Sequence, residues 1–130
     1  MSADEQRTLI TLWCISRSPL MIGANLTRMD TRTLRLLTNP EVLAVDQHSR
    51  GASAAYRSAD MVAWLAAPAR GSGQYVAVFN LGATRQWLDA PWSALGLRAP
   101  VANLRDRWLR KDLGPQPRLP INLAAHASAV

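Results

Sequence analysis

The sequence has very little of the sulfur and imidazole chemistry on which many sites depend. Cys14 is the only cysteine, which excludes an intrachain disulfide, and His48 and His126 are the only histidines. This set is too small to predict a metal-ligand cluster, so we expect no metal and no other cofactor. Cys14 falls on the apolar face of a predicted helix, where a small core hydrophobe is more common than a reactive thiol.

Long apolar runs are also missing. No stretch approaches the roughly 18 apolar residues of a membrane span, and the start of the chain, MSADEQRT, is too polar and acidic for a signal peptide. We therefore expect no membrane partner, and the sequence leaves the compartment open.

Basic charge is present but is not concentrated. The formal net charge is +6, from 15 basic residues against 9 acidic ones, and Lys111 is the only lysine. The arginines are spread from Arg7 to Arg118 without a basic run, whereas a polyanion-binding protein usually concentrates them. We therefore expect no nucleic-acid partner, and a polyanion ligand is the less favoured alternative.

The first 23 residues predict a helix followed by a buried strand. Ser2 and Glu5 have the spacing of a capping box, and an apolar stripe at helical spacing follows them. The helix should end just before Pro19, because proline disfavours helical geometry in the residue that precedes it. The next four residues, LMIG (20–23), are apolar without alternation, which is typical of a short strand in a parallel sheet.

Two further helix starts follow this predicted strand. Asp30 can cap a helix that carries Leu34 and Leu37, and Asn39 followed by Pro40 can cap the next one. Residues 1–47 therefore predict the order helix, strand, helix.

The rest of the chain predicts antiparallel strands. MVAWLAA (61–67) and QYVAVFNL (74–81) flank PARGSG, which is typical of a strand pair joined by a flexible loop. TRQWLDA (84–90) predicts a third strand. Residues 99–108 and 118–127 are two more candidates, separated by the predicted loop KDLGPQP.

Together these patterns place the chain in the α+β class. A lone strand at 20–23 does not make a sheet, and its apolar character requires parallel neighbours that the first 50 residues do not contain. We interpret residues 1–50 as a helix-strand-helix remnant of a larger α/β domain. Residues 51–130 are then an antiparallel β-sandwich domain behind it.

Several short sequence motifs support this interpretation, because they occur in a characteristic order along the chain. The first half contains DEQRT (4–8), SPL (18–20) and LLTN (36–39), and the second half contains VAVFNLG (76–82) and RDRWLRKDLG (105–114). This series resembles the C-terminal portion of glycoside hydrolase family 27, the α-galactosidases and α-N-acetylgalactosaminidases. The resemblance covers nearly the whole chain but only about the last third of a family member.

The resemblance implies a retaining glycosidase that hydrolyses terminal α-galactosides on a (β/α)8 barrel, so the partner of the complete enzyme is a galactoside or another carbohydrate. Retaining enzymes need two carboxyl groups about 5 to 5.5 Å apart. In the family both belong to earlier barrel strands, and no residue of this chain aligns with either. We therefore expect no catalytic residue here and no activity from this C-terminal fragment alone.

The same resemblance gives one stretch an active-site position. Gly23, Ala24 and Asn25 would follow the last barrel strand at the C-terminal mouth of the barrel, where the active site is built. They are the predicted substrate-proximal residues. The surface that faces the barrel is predicted to self-associate when it is exposed. Family members are often secreted, periplasmic or lysosomal.

The carboxylates of the chain have structural explanations. Asp46 is the least explained of them, but it has no positioned partner with which to perform acid-base chemistry. A nucleophile and base pair of Ser16 or Ser18 with His48 is not expected. Neither serine lies in a nucleophile-elbow sequence, and no acid is placed to orient the histidine. The others lie at predicted helix starts, strand ends or turns: Asp4, Glu5, Asp30, Asp89, Asp106 and Asp112.

A second hypothesis is a non-catalytic carbohydrate-binding or interaction module. Trp64, Trp87, Trp92 and Trp108 lie in the β half, and flat aromatic faces suit sugar rings. Tryptophans on the strands of a small β-domain are more often core residues, because such a domain needs the area that they bury. Exposed, coplanar tryptophans would favour the module, and buried ones would favour a structural appendage.

Overall fold

The computed structural model describes residues 1–130 as three helices followed by eight strands. The helices are α1 (Ala3–Ile15), α2 (Thr31–Leu37) and α3 (Pro40–His48), with short 3₁₀ turns at Leu26–Arg28 and Trp92–Leu95. The strands are β1 (Ser49–Arg57), β2 (Met61–Pro68), β3 (Tyr75–Asn80), β4 (Gln86–Pro91), β5 (Ala102–Asp106), β6 (Lys111–Gln116), β7 (Arg118–Leu123) and β8 (Ser128–Ala129). No helix is long and apolar enough to cross a membrane.

The predicted helix starts are confirmed. The Glu5 amide donates to Ser2 Oγ at 3.2 Å, and the Ser2 amide donates back to Glu5 Oε2 at 2.6 Å, which completes the capping box of α1. Asp30 caps α2 by accepting from the Thr33 amide at 2.9 Å. Asn39 caps α3, with Pro40 at its first position. These short-range contacts fix where each helix begins.

The predicted strand at 20–23 is wrong. Residues 20–23 belong to no helix or strand, so the order of the first half is helix, loop, helix, helix. The physical reason is that a strand needs a neighbour for its backbone hydrogen bonds, and no other strand of the chain lies beside this segment. Met21 and Ile22 stay in solvent, with Met21 82% exposed, whereas Leu20 packs partly against the core between the helices and the sheet.

The β half forms the expected antiparallel sandwich with some changes in its strands. One sheet has the order β1-β2-β3-β8, and two further antiparallel pairs are β4-β7 and β5-β6. The predicted loop KDLGPQP is wrong over 111–116, because these residues form β6 against β5. β1 was not predicted, since its sequence, SRGASAAYR, is small and polar. The strand predicted at 84–90 is confirmed as β4, and it pairs with β7.

The central strands β2 and β3 are buried on both faces. Met61, Ala63 and Val78 point into the core of the sandwich, where they pack with residues of β4, β7 and the second 3₁₀ turn. Val62 and Phe79 point to the opposite face, where they pack with apolar side chains of α1 and α3. The helices therefore cover one face of the sheet, which explains why these strands are continuously apolar.

The hydroxyl of Thr11 joins α1 to the β half. Thr11 has no exposed surface, and its hydroxyl donates to the Arg7 carbonyl at 2.8 Å. The same oxygen accepts from Trp108 Nε1 at 2.9 Å and from Ser128 Oγ at 3.1 Å. One donor and two acceptor positions are thus all used, so the buried hydroxyl is fully satisfied.

A second buried set of hydrogen bonds explains why asparagine and glycine occur in the VAVFNLG motif (76–82). Asn80 is buried, and its Nδ2 donates to the carbonyls of Thr84, Leu123 and Ala124, which ties the end of β3 to the end of β7. Its Oδ1 accepts from the Gly82 amide at 2.9 Å. A Cβ at Gly82 would lie 3.0 Å from Asp60 Cγ and 3.3 Å from Asn80 Oδ1, so this turn requires glycine.

Cys14 lies in the core between α1 and the sheet, as expected. It is 1% exposed, and burial, aided by the nearby Asp46 carboxylate, raises the pKa of its thiol to about 12. We expect the folded protein at pH 7 to react with Ellman's reagent only at the rate of unfolding, because the thiolate is the reactive form. In guanidinium chloride one thiol should react at once. A matched control is Ser18→Cys in a Cys14→Ser background, which should react in the folded state; a fast reaction of native Cys14 would contradict its placement.

Candidate functional site

The predicted substrate-proximal residues lie together on an exposed loop. Gly23, Ala24 and Asn25 are exposed, and no atom lies within 4 Å of a Cβ built on Gly23. Asn25 Oδ1 accepts from the Thr27 amide at 3.1 Å and from the Thr27 hydroxyl at 2.7 Å. This cap holds the first 3₁₀ turn, and the Asn25 amide nitrogen makes no hydrogen bond to the protein, so it is free to donate to a ligand.

The same loop carries an unusual amount of exposed apolar surface. Within residues 20–26, which we call the 20–26 loop, Met21, Ile22 and Leu26 are exposed, and Leu26 is 66% exposed. Leu12 and Leu34 on the flanking helices are also exposed. Several exposed apolar side chains within one short segment are typical of an interaction face.

The carboxylates are occupied by structural contacts. Glu41 forms a bidentate pair with Arg105, with N–O distances of 2.7 and 2.8 Å. Hydrogen bonds from Arg105 hold the pKa of the Glu41 carboxyl below its usual value. Asp89 pairs with Arg118 at 2.8 Å, and Asp112 pairs with Arg105 at 2.8 Å. These contacts account for the carboxylates as parts of the fold.

Asp46 has no partner for acid-base chemistry. Partial burial raises the pKa of its carboxyl, and the nearby Arg17 opposes this shift. The Arg17 Nε donates to the backbone carbonyl of Asp46 at 2.9 Å. No second carboxylate is hydrogen-bonded to Asp46, and no group of three or more metal-ligating side chains exists in the chain. Asp46 therefore has no acid-base pair.

The serine and histidine candidates are not assembled into a site. The Ser16 hydroxyl donates to the Leu12 carbonyl at 2.7 Å and lies 3.0 Å from Ser18 Oγ, which places both at the end of α1. His48 is exposed at the end of α3, and no hydrogen bond joins its side chain to either serine. These residues form no nucleophile and base pair.

The tryptophans do not form a sugar-binding platform. Trp92 is buried and donates to the Gln116 carbonyl at 2.9 Å. Trp64 and Trp108 are half-buried against the core that α1 and α3 share with the sheet. Only Trp87 is largely exposed, at 74%. A single exposed ring favours the structural interpretation of the tryptophans over the binding module.

Sequence reasoning missed the long-range polar contacts that organise this region. Glu41 and Arg105 are 64 residues apart in the chain, and Thr11 and Trp108 are 97 apart. No local spacing predicts such pairs. The only sequence signal for these contacts was the RDRWLRKDLG motif (105–114), which supplies both Arg105 and Trp108.

Comparison with known proteins gives a consistent result. Residues 58–130 match a family profile described as the α-galactosidase C-terminal β-sandwich domain. The α-galactosidase of Coffea arabica is 35% identical over 111 residues, which are 83% of this chain and 29% of that protein. The α-galactosidase of Oryza sativa is 30% identical over 129 residues, which are 97% of this chain and 31% of that protein.

A solved structure extends the similarity to the helices. The family 27 β-L-arabinopyranosidase of Geobacillus stearothermophilus superposes on 99% of this chain and 29% of that one, with a TM-score of 0.92 and 43% identity. A variant of that enzyme in complex with arabinose superposes equally well, at 0.92. The chain thus spans about three tenths of the length of these relatives. It belongs to glycoside hydrolase family 27, the family of the α-galactosidases, and it corresponds to the C-terminal portion that ends in the β-sandwich domain.

Proposed function

We propose that this chain serves as the C-terminal portion of a retaining glycosidase that cleaves terminal α-galactosides or a closely related glycoside. One observation carries the proposal: the similarity to a family 27 enzyme covers 99% of the chain and so takes in the helices as well as the sandwich. The two reacting carboxyl groups would come from barrel strands outside these 130 residues, because this chain assembles no acid-base pair of its own.

The sugar specificity of the proposed enzyme falls within a narrow chemical class. The α-D-galactopyranosides and β-L-arabinopyranosides have the same ring configuration and differ in the hydroxymethyl group at C5. Relatives with either name match this chain. We therefore propose a pyranoside of this configuration as the substrate.

We also propose that the two parts of the chain belong to different domains of the complete enzyme. Residues 1–50 would complete the catalytic barrel, and residues 51–130 would form the C-terminal β-domain. Within the barrel, residues 20–23 would become the last strand once parallel neighbours supply its backbone hydrogen bonds. The exposed apolar side chains of the 20–26 loop support this, because a barrel would bury them.

Gly23, Ala24 and Asn25 would then lie close to the substrate. They follow the proposed strand, and the loops at the C-terminal ends of barrel strands build the active site of this architecture. The amide of Asn25, which is exposed, is the polar group best placed to donate to a sugar hydroxyl. Its role would be to position the sugar, not to take part in bond cleavage.

The first test measures activity. We expect purified protein of residues 1–130 to hydrolyse aryl α-galactosides and aryl β-L-arabinopyranosides no faster than buffer, because loss of the nucleophile and acid costs many orders of magnitude in rate. Joining a family 27 barrel to its N-terminus in one chain should give turnover. In that enzyme, Asn25→Ala should lower kcat/KM. The control Asn122→Ala, which replaces an exposed asparagine on β7, should leave kcat/KM unchanged.

Two results of this test would contradict the proposal. The first is hydrolysis by residues 1–130 that disappears in Asp46→Asn, which would place the chemistry within this chain. The second is a correctly folded barrel fusion that turns over no pyranoside of the proposed configuration.

The second test concerns self-association through the 20–26 loop, which we propose for the separate chain. We expect sedimentation velocity to show concentration-dependent association, because exposed apolar surface is removed from water in the contact. Met21→Ser with Leu26→Ser should give a monomer. The matched control is Leu81→Ser with Leu109→Ser, two exposed leucines of the β half, which should still associate. A monomeric parent protein, or equal loss in the control, would refute the proposed contact.

A further inference from the structure

The fold gathers four arginines from three separate parts of the sequence around one concave site. Arg7 comes from α1, Arg32 and Arg35 from α2, and Arg110 from the turn after Trp108. The cavity they line has a volume of about 610 Å³. We call it the arginine pocket. It is separate from the 20–26 loop and from the core of the sandwich.

The charge of the arginine pocket is not compensated locally. No carboxylate lines it, and Arg7, Arg32 and Arg35 have no ion-pair partner in the protein. Arg110 has only a 3.8 Å contact with Glu41, whose two oxygens are already held by Arg105 at 2.7 and 2.8 Å. A concave surface lined by charges of one sign concentrates the field and attracts the opposite charge.

Arg7 is held in place in the wall of the pocket. Its guanidinium carbon lies 5.6 Å from the centre of the Trp108 ring, and that ring is fixed by its hydrogen bond to Thr11. The Arg7 Nε is buried and has no hydrogen-bond partner. Because that atom has no accessible surface, a ligand in the pocket would pair with the terminal nitrogens of Arg7, which lines the pocket.

The other polar groups of the pocket are already engaged. Asn39 donates to the carbonyls of Arg107 and Trp108, and its oxygen accepts from the Glu41 and Val42 amides. The Thr38 hydroxyl donates to the Leu34 carbonyl at 2.7 Å. The groups left to a ligand are therefore mainly guanidinium donors, which pair best with an oxyanion that has several acceptor atoms.

We propose that the arginine pocket binds a phosphate or sulfate group, either as the free anion or as an ester on a sugar. Arg7 supplies donors held in place against Trp108, and Arg32 and Arg35 supply charge from the exposed side of the pocket. This site is independent of the proposed glycosidase function, because it lies outside the substrate-proximal loop and takes part in no bond cleavage.

The test follows the Arg7 Nε–Hε signal by ¹H–¹⁵N NMR. Residues 1–130 are titrated with inorganic phosphate at constant ionic strength, because screening would otherwise change with each addition. We expect a saturable shift of the Arg7 signal. Parallel titrations with inorganic sulfate, a hexose 6-phosphate and a hexose 6-sulfate then distinguish a free anion from an ester as the tighter ligand.

Two double variants of equal net charge distinguish binding in the arginine pocket from nonspecific electrostatic attraction to the whole protein. Arg32→Gln with Arg35→Gln should weaken phosphate binding at least about tenfold, because two charge-assisted contacts are lost. Arg50→Gln with Arg57→Gln, on exposed positions of β1, should change it less than about twofold. A titration without saturation, an Arg7 signal that does not move, or equal weakening in both variants would overturn the proposal.

Discussion

The buried hydroxyl of Thr11 is the contact on which the relation between the two halves of the chain depends. It links α1 to Trp108 in the turn after β5 and to Ser128 in β8, and it uses every hydrogen-bonding position that it has. Removing the oxygen would leave the Trp108 indole N–H without its acceptor in a half-buried position, which costs more than the bond itself contributes. The same contact fixes the ring against which Arg7 lies.

The packing around Thr11 makes the sheet of β1, β2, β3 and β8 a shared element. One face belongs to the sandwich core and the other to the core built with α1 and α3. The helices are therefore held by the β-domain even where no barrel surrounds them. What the β-domain does not cover is the 20–26 loop, whose exposed apolar side chains agree with the family to which the chain belongs.

The sequence predicted features that depend on near neighbours and missed those that depend on distant ones. The caps at Ser2, Asp30 and Asn39 are confirmed because each involves residues two or three positions away. The strand at 20–23 was wrong because strand formation requires partners that the pattern alone does not supply. β6 was missed because glycine and proline in KDLGPQP are typical of loops, although pairing with β5 outweighs that preference. The arginine pocket was missed because its residues are spread over more than a hundred positions.

Because Thr11 joins the helices to the sandwich, we expect the two to unfold as one unit, and equilibrium unfolding of Thr11→Val tests this most directly. Urea transitions are followed by circular dichroism at 222 nm for the helices. The β half is followed by tryptophan fluorescence in a Trp13→Phe background, in which the four remaining tryptophans all lie after residue 50. We expect the two transitions to coincide in the parent protein and to move together to lower urea concentration in the variant. The free energy of unfolding should fall by about 1 to 3 kcal/mol. Thr8→Val, which removes an exposed bond from the same helix to the His126 carbonyl, should cost less. Separate transitions in the parent protein, or a shift of the helical transition alone, would contradict the account.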